Sequence, residues 1–178
     1  MTTPMPHWPS SFFANFTETF SVAQKSAVHH GWFALDLNYS SGGFVGAEAI
    51  YRVDGQTAIG ICKDFHKDTA CIELAVAGQR YIVFPEIQEC CRCCSWKNGC
   101  GPLRSAWVDN ASFIGVTPFD GEQCNRFSIP GEVEKENYIS QTLDGKRLCE
   151  LNNGGADQMN FTLSTWSDTV DPRLFDLP

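Results

Sequence analysis

The chain contains no apolar run approaching the roughly 18 residues of a membrane-spanning helix. Its opening, MTTPMPHWPSSFF, has no basic stretch followed by an apolar one, so no signal peptide is read there. Histidine is scarce, with only His7, His29, His30 and His66. G-x-S-x-G, H-E-x-x-H, phosphate-loop and dinucleotide fingerprints are all missing, which removes the local motifs of common hydrolases, zinc proteases and nucleotide enzymes. Positive charge is in deficit too: 13 Lys plus Arg stand against 21 acidic residues, for a net charge of −8. The basic residues are scattered singly from Lys25 to Arg173, which makes no phosphate-binding footprint and speaks against a nucleic-acid partner. No window of helical length sustains an i, i+3, i+4, i+7 stripe, and there is no internal repeat.

What is present is period-2 alternation, the signature of strands with two distinct faces. Residues 15–22 place Phe16, Glu18, Phe20 and Val22 on one face, and residues 32–39 place Phe33, Leu35, Leu37 and Tyr39 on one face. Further strands are predicted at 44–53, 57–63, 69–77, 80–84, 111–119, 124–129, 137–143, 146–152 and 158–165. Asp54-Gly55, Asp120-Gly121 and Asp144-Gly145 fit type I′ hairpin turns, and Ala77-Gly78 fits another tight turn. The reading is an all-β single domain over 1–178: about eleven antiparallel strands in a curved, meandering sheet or half-barrel. Residues 1–13 form an N-terminal extension. Residues 85–110 form a Cys-rich irregular connection with a short helix at 102–110, and 130–136 is an acidic loop.

Nine cysteines are more than a domain of this size needs. Cys90, Cys91, Cys93, Cys94 and Cys100 crowd into one string, with Cys62, Cys71, Cys124 and Cys149 elsewhere. Zinc wants two separated short-spaced pairs, and here the C-x-x-C spacings overlap, so no metal site is assigned. Disulfides are the better reading, with Cys62–Cys71 the easiest local pair and the crowded cysteines reaching outward. Nine is odd, so one thiol stays buried and inert or bridges two chains. Asn15, Asn38, Asn110 and Asn160 all begin Asn-x-Ser/Thr sequons, where chance would give about one. Cysteines and sequons together point to a secreted, extracellular glycoprotein, read as a mature chain whose leader was removed or replaced by an initiating Met.

Catalysis has little to start from. His29-His30-Gly31 reads as a polar turn, and Asp36 and Glu48 read as solvent-facing charges on strands rather than an acid/base pair; no catalytic residue is assigned. Aromatic residues make up 12% of the chain and gather in its first half. On a curled sheet they either fill the core or line a cavity; Phe16, Phe20, Phe33, Leu35, Leu37, Tyr39 and Phe44 are the candidate lining.

The strand meander, the C-C-x-C-C string followed by Gly-Cys-Gly, and the ending DTVDPRLFDLP resemble ependymin-related proteins. The ending carries most of it, in Asp171-Pro172, Phe175 and Pro178. The clustered cysteines depart from the family's vertebrate pattern, and no disulfide scheme is transferred. The resemblance implies a secreted, glycosylated, LolA-like half-barrel with a hydrophobic pocket, a homodimeric state, lipid binding and calcium association, without catalytic residues. The function expected is therefore a secreted carrier of an apolar ligand, a lipid or carotenoid-like pigment. A disulfide-rich adhesion or interaction domain without ligand is the first alternative, and a motif-free enzyme acting on an apolar substrate is the second.

Overall fold

The computed structural model describes residues 4–22, 25–53, 69–130 and 136–177. They form one unclosed, curved sheet of eleven antiparallel strands. In chain order the strands are β1 (Ser11–Val22), β2 (Lys25–Ser41), β3 (Phe44–Arg52), β4 (Cys71–Val76), β5 (Gln79–Phe84), β6 (Glu89–Ser95), β7 (Ser112–Phe119), β8 (Glu122–Ile129), β9 (Asn137–Thr142), β10 (Leu148–Asn153) and β11 (Asp157–Phe161). Across the sheet the order is β6-β5-β4-β3-β2-β1-β11-β10-β9-β8-β7, two meanders joined where β1 pairs with β11.

The strands' alternation sorts their side chains onto two faces. Phe12, Phe16, Phe33, Leu35, Ile50, Phe127, Ile139, Leu151, Met159 and Phe161 make the main core on what we call the inner face. On the opposite, outer face of β2–β5, the small residues Ala34, Ala47 and Ala49, with Leu74 and Val76, receive Phe175 from the C-terminal segment. Asp171 caps the 3-10 turn Pro172–Phe175, its side chain accepting from the Arg173 amide, and this turn presents Phe175 to the sheet.

The edge strands β6 and β7 are consecutive in the chain yet lie at opposite sides of the sheet. The link between them, residues 96–111, must therefore cross it. Ten inter-strand gaps at about 4.8 Å make a flat sheet roughly 48 Å wide. The link contains two 3-10 turns, Trp96–Asn98 and Ser105–Val108, and these rise only about 2 Å per residue. So short a link has little slack across a flat sheet, and curvature brings its two ends within reach. Its Leu103, Trp107 and Val108 pack onto the inner face, where Trp107 meets Trp8 edge-on with ring centroids 5.6 Å apart.

Several expectations are corrected. The Cys-rich segment is not irregular throughout: Glu89–Ser95 is an edge strand paired with β5, and the helix expected at 102–110 is a single 3-10 turn. The strand read at 57–63, the Asp54-Gly55 turn, most of the acidic loop, Cys62 and Pro178 lie outside the described residues. Asp120-Gly121 and Ala77-Gly78 each close a two-residue turn with both φ positive, as type I′ requires. Asp144-Gly145 instead sits in a wider loop closed by Thr142 and Arg147, because the Asp144 carboxylate accepts from the Thr142 hydroxyl and the Lys146 amide. His29-His30-Gly31 is not a turn but the middle of β2. Tyr39 leaves the face of Phe33, Leu35 and Leu37. The pairing of β2 with β3 shifts between Asp36 and Ser40, where Asp36 accepts from the Asn38 amide, and Tyr39 packs on the outer face against Phe175, with centroids 5.0 Å apart.

Candidate functional site

Between the inner face and the crossing link lies a cavity of about 960 Å³. Phe33, Ile50, Leu151 and Met159 from the sheet, with Leu103 and Trp107 from the link, supply apolar lining. Glu48, Arg52, Glu73, Arg80 and Asp157 supply charge.

Four of these charged side chains, Glu48, Arg52, Glu73 and Arg80, are inner-face residues of β3–β5, where the outer face is also covered. Glu48, Ile50 and Arg52 alternate along β3 with Ala47, Ala49 and Tyr51, and Glu48 is 1% exposed. Glu48 is thus a buried residue, not the solvent-facing charge expected from the sequence. Asp36, its companion in that reading, is half-buried and bonded locally to Asn38.

Arg52 makes a bidentate pair with Glu18, Nε to Oε2 and Nη2 to Oε1 both at 2.6 Å, while its Nη1 lies 2.5 Å from Glu73 Oε1. The reach from β3 to β1 passes over β2 where Gly31 stands opposite both Arg52 and Phe16. No larger residue fits there: a Cβ on Gly31 would lie 1.7 Å from the Tyr51 carbonyl oxygen. Arg80 donates to Glu73 Oε2 at 3.3 Å and to Glu48 Oε1 at 2.9 Å. It also donates to the Gly101 carbonyl at 3.0 Å, while Glu48 Oε2 accepts the Leu103 amide at 2.8 Å. The pair formed by Glu48 and Arg80 therefore fastens the link to the sheet.

The network holds four carboxyls, Glu18, Glu48, Glu73 and Asp157, against two guanidiniums. The surplus shows in their protonation. Burial pushes Asp157 up to about 8, helped by the neighbouring charge of Glu18. Burial likewise pushes Glu48 up to about 7 against the pull of Arg80 and the Leu103 amide. For Glu18 burial acts upward as well, but the hydrogen bonds and charge of Arg52 outweigh it and hold the carboxyl below its ordinary value. Arg52 is held above its ordinary value: burial acts to lower it, and Glu73 and Glu18 more than compensate. An acid on an apolar row is the sign by which such a network can be read, and Glu18 between Phe16 and Phe20 is one.

Of the lining residues expected from sequence, Phe33 faces the cavity. Phe16 and Leu35 are buried in the main core beside it, and Leu37 packs against that core. Phe20 is half-buried in β1, paired with Asp157 of β11. Tyr39 is on the outer face, and Phe44 is 43% exposed, packed edge-on against Trp96.

Disulfides join Cys94 to Cys100 and Cys124 to Cys149, and Cys71 is also disulfide-bonded. Cys90, Cys91 and Cys93 are free thiols, with Cys93 Sγ 3.2 Å from Cys94 Sγ. The crowded cysteines thus make one local staple among the described residues rather than several outward bonds. Asn15, Asn38 and Asn110 are exposed and Asn160 is half-buried. Among the described residues no group of three or more His, Cys, Asp or Glu side chains is arranged to hold a metal ion, and no helix is long and apolar enough to cross a membrane.

No family model matches the chain, nor does any curated protein. Among solved structures it is similar to a chain of the Pseudomonas aeruginosa MucA/MucB complex, at 12% identity and a TM-score of 0.48, covering 92% of this chain and 54% of that one. It is also similar to a LolA superfamily protein from Nitrosomonas europaea, at 8% identity and a TM-score of 0.39, covering 97% and 93% of the two chains. A DUF1329 family protein from Desulfovibrio piger is similar at 10% identity and a TM-score of 0.39, covering 94% and 90%. The chain spans about half the length of the MucA/MucB-complex chain it matches.

Proposed function

We propose that the protein holds a small amphiphilic molecule, lipid-like or pigment-like, in the cavity under the crossing link. The observation that carries this reading is the cavity's size and mixed wall: about 960 Å³, with Phe33, Ile50, Leu151, Met159 and Trp107 set beside a hydrogen-bonded charge network. Ligand sites are typically concave, mostly apolar and supplied with a few placed polar groups. Apolar burial at about 25 cal/mol per Å² drives entry, less the cost of ordering the ligand. The notion of a purely aromatic pocket gives way to one with a polar end.

Secretion and glycosylation remain part of the proposal, supported by the disulfides and by the exposure of Asn15, Asn38 and Asn110. So does kinship with ependymin-related proteins, for which the seating of Phe175 gives the closing residues a structural task. A homodimer is proposed as well, and sedimentation of the purified chain tests it.

Uptake of a fluorescent single-chain lipid measures the central reading. One equivalent is expected to bind, and Leu151→Trp, which puts a bulkier side chain into the apolar wall of the cavity, is expected to reduce binding severalfold. Equal binding by the variant would contradict a site at this cavity.

A further inference from the structure

We propose that the polar end of the cavity recognises a basic amino head group, so that the ligand is a cationic amphiphile rather than a fatty acid, a phosphate ester or a wholly apolar molecule. This rests on the reading of the cavity as a ligand site. The six charged side chains form one chain of contacts, Glu48–Arg80–Glu73–Arg52–Glu18–Asp157, with a carboxyl at each end. Both cations are already engaged. Arg52 has Nε, Nη1 and Nη2 on carboxylates, and Arg80 has both terminal nitrogens on Glu73, Glu48 and the Gly101 carbonyl. Of the two guanidiniums only the buried Nε of Arg80 is without a partner among the described residues; a carboxylate or phosphate held by more than that single N–H would have to displace a buried acid, leaving a charge without its partner, which is among the costlier changes a protein interior can suffer.

The opposite sign meets the opposite situation. Asp157, at the free end of the chain, lines the cavity, and its buried Oδ1 has no hydrogen-bond partner among the described residues. Its other carboxyl contact is with a second acid, Glu18, on the far side of which Arg52 is already bidentate. The position beside Asp157 is therefore one where two acids adjoin, and among the described residues the cation that acts on Asp157, Arg52, is already hydrogen-bonded to Glu18 and Glu73. Turned toward the cavity, the Asp157 carboxylate would give an ammonium group charge-assisted hydrogen bonds, the strong kind. The apolar wall begins at once: Met159 follows Asp157 by two residues on the same face of β11 and pairs with Leu151 of β10, so an alkyl chain leaving the head group passes over Met159 and Leu151.

Proton balance gives the binding a signature. The carboxyls and cations that act on Asp157 are Glu18, Arg52 and Glu73, with His29 acting on Glu18 from β2. Near neutral pH Asp157 holds its proton; pairing with an alkylammonium ion leaves Asp157 as carboxylate, and that proton passes to solvent while the ammonium keeps its own three.

The test compares dodecylamine, dodecan-1-ol and dodecanoate by isothermal titration calorimetry on the full chain, below their micellar concentrations at pH 7, in two buffers of different ionisation heat. The amine is expected to bind at least about tenfold more tightly than either of the others, the scale of one charge-assisted hydrogen bond, with release of up to one proton. Asp157→Asn, which keeps the shape and removes the titrating group, is expected to bring the amine-to-alcohol ratio near one and abolish proton release. Alcohol or dodecanoate binding as tightly as the amine in the native chain would overturn the head-group assignment while leaving the cavity a ligand site. Binding of none of the three would overturn both readings.

Discussion

Replacing Arg52 by Met would leave Glu18 and Glu73 buried beside each other without the guanidinium that both now share. Removing one partner of a buried ion pair costs about 3–5 kcal/mol, so Arg52→Met is expected to lower the denaturation midpoint sharply. Glu18→Gln in the same chain should recover part of the loss, because it removes one of the orphaned charges. At the same scale, the surplus of carboxyls sets how stability depends on pH. Asp157 and Glu48 are raised to about 8 and about 7 in the folded chain, whereas unfolded carboxyls titrate near 4. Their stabilising contribution is complete below the unfolded values and is lost as pH rises through the folded ones. Each group contributes a slope of at most about 1.4 kcal/mol per pH unit. Glu18 is lowered, so its contribution is present above the ordinary carboxylate range and lost as pH falls through it. Urea unfolding is therefore expected to show maximal stability on the acid side of neutrality, with a decline from pH 6 to 8 that Asp157→Asn makes shallower. A flat or rising profile over that interval would speak against the assignment.

Individual strands were largely legible from the sequence because alternation is local. The exceptions have physical causes. Glu89–Ser95 carries six charged or cysteine side chains and little apolar contrast, so its pairing with β5 leaves no period-2 mark. Glu48 looked solvent-facing because a strand covered on both faces, with Ala47 and Ala49 under the C-terminal segment and Glu48 under the link, has no exposed face to reveal by contrast. Tyr39 changed sides at an irregularity no single-strand pattern encodes. The close approach at Gly31 depends on β3, a different segment of chain, and Gly31→Ala is expected to cost about 3 kcal/mol or more by forcing the two backbones apart. The disulfides are also properties of elements. Cys124–Cys149 closes a separation of 25 residues and Cys94–Cys100 one of 6. On chain entropy the first is worth about 3.5 kcal/mol and the second about 2. Paired Cys→Ala replacements should lower stability in that order, as read by denaturant unfolding, and the reverse order would mean that native contacts around Cys94–Cys100 dominate.

At the scale of the whole molecule, the fold is two meanders bent toward each other, with one face closed by the crossing link and part of the other closed by the C-terminal segment. The sequence suggested a concave face in need of filling, since so many strands without helices must curl. It could not place the cavity, because the walls come from strands more than 100 residues apart, Phe33 from one meander and Leu151 and Met159 from the other. The seat of Phe175 was similarly hidden in three alanines on neighbouring strands. Phe175→Ala is expected to cost about 3–5 kcal/mol, the range for truncating a buried Phe. Trp107 belongs to the link that closes the cavity, and its removal is expected to weaken uptake of a single-chain lipid without unfolding the sheet.

The most direct test of a ligand cavity under the link is a crystal structure of the protein with 12-bromododecylamine, read by bromine anomalous scattering. One bromine is expected in the apolar part of the cavity among Phe33, Ile50, Leu151 and Trp107, with the amine toward Asp157. Bromine found only on the outer face or at the sheet edges, with the cavity unfilled at saturating ligand, would contradict the account.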